Sequence, residues 1–478
     1  MIILYIFLAI ILIVAITVII RTIRFKPKNQ KTETKSTIDF NEEYAAKTLA
    51  EMIKCKTVSF VDKSLEDNGE FNKFKELLPA LFPEIYKTCE YTEIGDRSIL
   101  LKLKGESSDV ATVMMAHYDV VPADEGKWKY PAYSGVIEEG CVWGRGSLDT
   151  KVTVNASMQA LETLLKENYK PKNDLYLAFG GDEEINGHGA SDIVDYFEKN
   201  NLKINFVLDE GGAVVSRIFP GVDKKCALIG TGEKGIMNIK LSAYSQGGHA
   251  SSPPSITPIQ RLANACLKIS KNPFSFNPSK PALDLFNSLA PHSSLLYRII
   301  FANLWLFSPV LSHMTYKKGG EMNALVRTTC AFTQIKGSDG ANVLPTEASM
   351  VINIRINNGE TVNTVINHIK STINDPLIEI KPLYNTDPSP ISSTEGEGYS
   401  LINEAILSTW EDAIISPYLM VACSDSRHWC RISNKVYRFS PVEMVNEIRG
   451  TIHGNNERIP LDVLKKSVEF YIKLLSIC

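Results

Sequence analysis

Neither sign of charge is in excess in this 478-residue chain: 51 Lys and Arg against 54 Asp and Glu leave a net −3. Such a balance offers no broad basic field for a nucleic-acid backbone. Paired cysteines are missing too. The nine cysteines, at 55, 89, 141, 226, 266, 330, 423, 430 and 478, are odd in number, irregularly spaced and without C-x-x-C, which argues against a disulfide framework or a zinc ribbon. There is no G-x-S-x-G elbow, no G-x-x-x-x-G-K-[ST] loop and no H-E-x-x-H helix. A G-x-G-x-x-G string does occur at 230–235, but the residues that follow, Ile236 to Tyr244, read as a strand and not the helix that a dinucleotide site requires.

Charge is absent altogether from residues 1–20, where fifteen positions are Ile, Leu, Val or Phe. Twenty helical residues span about 30 Å, the thickness of a bilayer core, and the apolar content favours insertion by roughly 5–9 kcal/mol. A cleaved signal peptide has a basic start, a shorter apolar run and a small-residue cleavage site, none of which stands out here. An uncleaved single-pass anchor over 1–22 is therefore expected, followed by a polar tether over 23–38. All the flanking basic residues (Arg21, Arg24, Lys26, Lys28, Lys31, Lys35) follow the apolar run, which by the positive-inside rule points the body to the cytoplasm.

From 39 to about 232, short apolar runs alternate with amphipathic stretches, the pattern of an α/β domain with a mainly parallel sheet. The runs Val110–Ala116, Leu175–Gly180 and Ile204–Leu208 predict strands, and 151–168 predicts the crossover helix. From 233 to 385 the pattern becomes strand (236–244), helix (257–271), a long interruption, strand (326–335), strand (347–356), helix (361–373) and strand (377–384). This is an inserted ferredoxin-like βαββαβ unit. Residues 386–478 return to the first domain with a helix near 399–413, a strand at Val436–Phe439 and a helix over 461–476. The interruption, about 272–323, holds Leu295, Leu296, Trp305, Leu306 and Val310, which serve either as packing surface or as an apolar wall for a long acyl chain.

The three apolar runs of the first domain end in polar clusters: His117-Tyr-Asp119, Asp182-Glu183-Glu184 and Asp209-Glu210; a fourth, ending at Asp149, precedes the crossover helix. In open α/β sheets ligands bind beyond the carboxyl ends of the strands, so these clusters should converge. So many carboxylates beside a histidine repel one another unless cations neutralise them. Imidazole and carboxylate without thiolate suit zinc, with cobalt or manganese as alternatives, and the supply allows two adjacent ions with one bridging carboxylate. Of the adjacent Glu183 and Glu184, one can ligate while the other accepts a proton from the attacking water.

The strings AHYDVVP, WGRGSLDTK, GGDEEINGHGA, LDEGG, GGHASSP and IHGNNERI resemble, in order over roughly residues 40–475, the motifs of the di-zinc metallopeptidases that include aminoacylase, glutamate carboxypeptidase and vacuolar carboxypeptidase S. NLWLFSPVLS, NALVRTTCAFT and CSDSR resemble the branch of carboxypeptidase S and N-fatty-acyl-amino-acid synthase/hydrolase. The resemblance implies His117 and Asp209 on one metal, Glu184 and His453 on the other, Asp149 between them, Asp119 behind His117, and Glu183 as general base. It further implies a homodimer through the 233–385 lid, with His249 reaching the partner's site to stabilise the oxyanion. Asn342, Arg355 and Arg427 match substrate-contacting positions, and Arg427 is the expected partner of the substrate carboxylate. The sequence departs from the pattern at Thr150, where relatives often have a second Asp, and at Gly181, where many have His.

The function expected from the whole is metal-dependent cleavage of the amide of an N-acyl amino acid, long-chain acyl groups and the reverse condensation included. The alternatives are a carboxypeptidase or dipeptidase on short peptides and a catalytically silent membrane-anchored binding protein. The basic flank favours the cytoplasm, whereas the relatives this chain resembles work in the vacuole lumen or outside the cell.

Overall fold

The computed structural model describes residues 1–27 and 38–478, so most of the expected tether lies outside the described residues. The main sheet has eight strands in the order Glu90–Ile94, Ser98–Leu103, Asn173–Gly180, Ser107–His117, Ile204–Ser216, Val436–Met444, Lys225–Glu233 and Ile414–Met420. The central strands Asn173–Gly180, Ser107–His117, Ile204–Ser216 and Val436–Met444 are mutually parallel, and antiparallel pairs join them to the outer strands. Burial on both faces explains why the central strands read as continuous apolar runs. Phe206 and Leu208 enter one core with the crossover helix Lys151–Lys166, while Val207 enters the other with the helix Gly189–Lys199 and Trp429.

The strand Ile414–Met420 escaped the sequence reading. It carries Pro417, which cannot donate to a ladder, and it lies at the sheet edge, where proline is tolerated. The helix expected at 399–413 runs over Glu397–Thr409, and the last helix over Leu461–Leu475.

A second sheet has four antiparallel strands in the order Thr329–Lys336, Glu347–Ile356, Gly235–Tyr244 and Ile378–Thr386, with the helices Pro258–Lys271 and Val362–Ile373 on one face. This is the βαββαβ arrangement. The strand Lys225–Glu233 passes directly into Gly235–Tyr244 with no helix after the G-x-G-x-x-G string. The interruption is helical: Lys280–Leu289, Leu295–Ala302, Leu304–Lys318 and Gly320–Val326. It packs on the outer edge of the main sheet, where Leu285, Phe286, Phe301 and Leu325 join Cys226, Leu228, Tyr418 and Met420 in one core. All nine cysteines are free.

Candidate metal centre

Three strands deliver the polar clusters to one edge of the main sheet. Ser107–His117 ends on His117; Asn173–Gly180 leads into the single turn Glu183–Ile185; and Ile204–Ser216 carries Asp209 and Glu210. Asp149 ends the loop before the crossover helix, and His453 comes from the segment between Val436–Met444 and Leu461–Leu475, with a left-handed φ of 56°. Such a conformation is uncommon outside glycine and concentrates at functional sites.

His117 Nε2 lies 3.2 Å from Asp149 Oδ1, 3.3 Å from Glu210 Oε1 and 3.9 Å from Glu183 Oε2. The other oxygen of Asp149 is 3.0 Å from His453 Nε2, which in turn is 3.1 Å from Glu184 Oε2. Asp149 thus addresses one histidine with each oxygen, the disposition a bridging carboxylate needs. Two donor triads, His117–Asp149–Glu184 and His117–Glu183–Glu210, each hold their ligand atoms within 4.8 Å of one another. Among the described residues, Glu184 Oε1 is buried without a hydrogen-bond partner. An acceptor of this kind fits a cation better than it fits the protein alone.

Asp209 is placed otherwise than expected. Its carboxylate accepts the Ser426 N–H at 2.9 Å, and Glu210 stands beside His117 instead. The reason is strand alternation. Position 209 continues the side of Val207, toward Trp429 and its short helix, whereas 210 continues the side of Leu208, where the crossover helix and Asp149 lie. The signal was present in the sequence as the parity of the strand.

Asp119 is buried at the centre of the support. Its two oxygens accept the N–H groups of Glu183 and Glu184, each at 3.1 Å, and Oδ2 also accepts the Ser59 hydroxyl at 2.6 Å. His117 Nδ1 lies 3.0 Å from the Asp119 carbonyl oxygen and 3.4 Å from its carboxylate. These acceptors fix a proton on Nδ1 and turn Nε2 toward the carboxylates, the orientation in which a metal-ligating histidine presents its second nitrogen. Gly181 also has its reason here: a Cβ at that position would lie 2.8 Å from the Tyr118 hydroxyl.

Glu457 and Arg145 were missed as site residues, although both lie in strings that carry the resemblance. Arg145 Nη1 donates to Glu457 Oε2 at 2.6 Å, and Glu457 Oε1 accepts the N–H groups of Gly146, Leu148 and Asp149. Both side chains are buried.

The electrostatics follow from this crowding. Burial disfavours charge on His117, yet Glu210 and hydrogen bonds with Asp119 and Asp149 hold its pKa well above the ordinary value. Hydrogen bonds to Asp149 and Glu184 push His453 up to about 10. Burial works to raise Asp149, but the two histidines hold it well below the usual carboxylate range. Glu183 moves the other way: burial, helped by the charges of Asp425, Glu210 and Glu184 and opposed by His117, lifts it well above. A carboxylate with raised proton affinity is what a general base at neutral pH requires.

Asp149, Glu183, Glu184, Glu210 and His453 line a cleft of about 400 Å³ whose other walls include Ile236, Arg355, Met420, Ala422, Cys423, Met444 and Ile452. Among the described residues the only hydrogen bond of the Arg355 side chain is a 3.5 Å contact with Cys423 Sγ. Arg427 is more committed, donating to Ser424 O at 2.7 Å and to Asn186 Oδ1 at 3.4 Å. His249 and Asn342 do not line this cleft. They meet at the short ladder in which His249 pairs with Val343 and Ala250 N–H donates to Asn342 O, with the His249 imidazole exposed.

Residues 113–476 match peptidase family M20/M25/M40. The chain belongs to this family. It is 36% identical to the probable carboxypeptidase S-like 2 of Dictyostelium discoideum over 97% of this chain and 91% of the relative. It is 37% identical to an N-fatty-acyl-amino acid synthase/hydrolase of Xenopus tropicalis over 88% of this chain and 83% of the relative. Among solved structures, the M20 family metallo-carboxypeptidase Sso-CP2 of Sulfolobus solfataricus aligns with a TM-score of 0.64 at 18% identity, covering 91% of this chain and 98% of that one. As an M20 family member the protein is a hydrolase, with that family's mixed α/β fold.

Proposed function

We propose that the protein hydrolyses the amide bond of N-acyl amino acids at a two-metal centre, with His117, Asp149, Glu184, Glu210 and His453 as ligands. The observation that carries this reading is Asp149 facing His117 and His453 through opposite oxygens, beside a buried Glu183. Nitrogen and oxygen donors without thiolate fit zinc, and cobalt or manganese next. Bound there, the cations supply a water acidic enough to attack at neutral pH and a Lewis acid for the scissile carbonyl. Glu183 takes the proton of the attacking water and returns it to the leaving nitrogen, while Asp119 holds the Glu183 and Glu184 backbone in place for the transfer.

The substrate class rests on the name of the Xenopus relative and on the cleft walls: Ile236, Met420, Met444 and Ile452 offer apolar contact, and Arg355 offers a nearly free guanidinium for the carboxylate. Arg427 shapes the same wall through Asn186. The 233–385 segment acts as lid and dimerisation domain, and His249, with Asn342 beside it, completes the site of a second subunit by donating to the oxyanion. The name of the Dictyostelium relative favours the second reading, a carboxypeptidase on short peptides.

The helix Ile2–Arg24 is long and apolar enough to cross a bilayer, and it anchors the enzyme. What supports an anchor over a removed signal sequence is its docking: Thr22 is buried, Arg21 Nε donates to Ala302 O at 2.9 Å, and Asn303 Nδ2 donates to Thr22 Oγ1 at 3.3 Å.

The deciding experiment uses the full-length protein in detergent, stripped with chelator and restored with zinc, on a panel of N-acyl amino acids of increasing chain length and of dipeptides. Zinc-dependent turnover that favours long N-acyl amino acids is expected. Faster dipeptide cleavage would move the assignment to the peptidase reading, and turnover unaffected by chelation would remove the metal mechanism.

A further inference from the structure

The helices Leu295–Ala302 and Leu304–Lys318 meet at a bend of 109°. On their inner side Phe301 packs against Phe219 and Phe286, each with ring centroids 4.9 Å apart. Their outer side is apolar and open: Leu295, Leu296, Trp305, Val310 and Met314 are each between 51% and 64% exposed. Leu306, Val310 and Met314 stand four residues apart and form one stripe of the second helix. A continuous patch of this kind marks an interaction surface, whereas scattered exposed apolar residues do not.

The N-terminal helix says what covers the patch. Its 23 residues span about 35 Å, so when it crosses a bilayer core of about 30 Å its basic end, Arg21 and Arg24, reaches the headgroups. The corner between the two helices is tied to that same end. Beyond the Arg21–Ala302 and Asn303–Thr22 bonds, Asn303 Nδ2 lies 3.5 Å from Val18 O and Arg298 Nη2 donates to Phe25 O at 3.4 Å. Asn303 is fully buried at this junction. With the anchor spanning, these bonds pin the corner at headgroup depth and set Arg21, Arg24, Lys26 and Arg298 at the level of lipid phosphates.

We infer that this helical corner is a second membrane contact: it lies in the interface of the same bilayer that the anchor crosses, with Leu295, Leu296, Trp305, Leu306, Val310 and Met314 among the upper acyl chains. A 109° bend suits a wedge in the interface and not a spanning helix. The inference rests on the anchor reading above. It also gives the catalytic body a fixed pose, because an anchor alone leaves the body free to turn about one point and two contacts do not.

Trp305 is a built-in reporter, since none of the five tryptophans lies in the anchor and the other four belong to the catalytic body. The full-length protein is reconstituted into phosphatidylcholine–phosphatidylglycerol vesicles whose acyl chains are brominated near the headgroup, and flotation after alkaline carbonate is measured on the same samples. The expected result is carbonate-resistant flotation together with quenching of tryptophan emission that W305F abolishes. The double variant L296E/V310E should float as before and lose most of the quenching. Flotation with Trp305 unquenched overturns the inference and leaves the anchor standing; that includes the case where chemical cross-linking finds a second copy on the patch. Loss of protein from the vesicles on carbonate treatment overturns the anchor and this inference with it.

Discussion

Glu457 and Asp149 stand 308 positions apart in the chain and are joined by the Asp149 N–H, which donates to Glu457 Oε1 at 3.2 Å. The same oxygen accepts the N–H of Gly146 at 3.1 Å and of Leu148 at 2.8 Å, while the other accepts Arg145. One carboxylate from the C-terminal segment thus shapes the turn that carries Asp149, across the sequence interval that contains the whole small domain.

Glu457→Gln should accordingly harm both folding and the metal centre. It leaves the Arg145 guanidinium buried without its counter-charge, a defect of about 3–5 kcal/mol. A misaimed Asp149 should weaken metal binding by about 10–100-fold. Urea unfolding and competitive chelator titration measure the two effects separately; unchanged metal affinity would show that the clamp is only structural.

The separation of Asp209 from Glu210 makes a second contrast. Glu210→Ala should reduce bound metal from two ions to one per chain, because it removes the only carboxylate of that pair within reach of His117. Asp209→Asn should keep both ions, since the carboxylate it alters accepts the Ser426 N–H and faces the opposite layer. Elemental analysis of the purified variants checks this; the reverse pattern would restore Asp209 as the ligand.

That pair also marks how far the residues were legible in one dimension. The parallel core strands, the crossover helix and the βαββαβ order were readable because their apolar periods are strong and burial acts on contiguous residues. His117, Asp149, Glu184 and His453 meet because sheet topology brings strand ends together, which motif order anticipates. The Asp209–Glu210 choice depends on side-chain parity, which the Asp-Glu-Gly-Gly string conceals unless it is counted from Val207. Glu457 was missed for another reason: it lies in a motif string, but besides Arg145 its partners are backbone N–H groups on a distant loop, which no residue type announces. The Ile414–Met420 edge strand was hidden by Pro417, and the helices in the interruption by apolar residues that face outward.

Glu183→Gln should keep both ions and lower kcat by about 10²–10⁴-fold, the usual weight of a positioned base. Glutamine preserves the shape and loses only the ability to take up a proton. Since burial and neighbouring carboxylates hold Glu183 well above the ordinary value, Glu183→Asp should recover part of the rate where Gln recovers none. Steady-state kinetics alongside metal content decide the matter; full activity in the Gln variant would remove Glu183 from the mechanism.

Lys234, between Glu233 of the main sheet and Gly235 of the small one, should make stability rise with pH. Its Nζ is buried and donates to Ala324 O at 2.8 Å and Arg327 O at 2.7 Å, two acceptors for the two N–H bonds of a neutral amine. Burial lowers its pKa to about 7, with Arg355 adding to the effect and Glu360 opposing it. In the unfolded chain the same lysine titrates near its ordinary value of about 10.4. Between these limits the unfolded state binds a proton that the folded state lacks, so stability increases with pH by at most about 1.4 kcal/mol per unit. Below pH 7 both states are protonated and the burial penalty is present in full. Lys234→Met removes this one titration and leaves the rest of the chain unchanged. The difference in unfolding free energy, wild type minus variant, should therefore be flat below about pH 6 and climb in favour of wild type toward pH 10. A difference that stays level across the range in urea unfolding would mean that Lys234 remains charged in the folded protein.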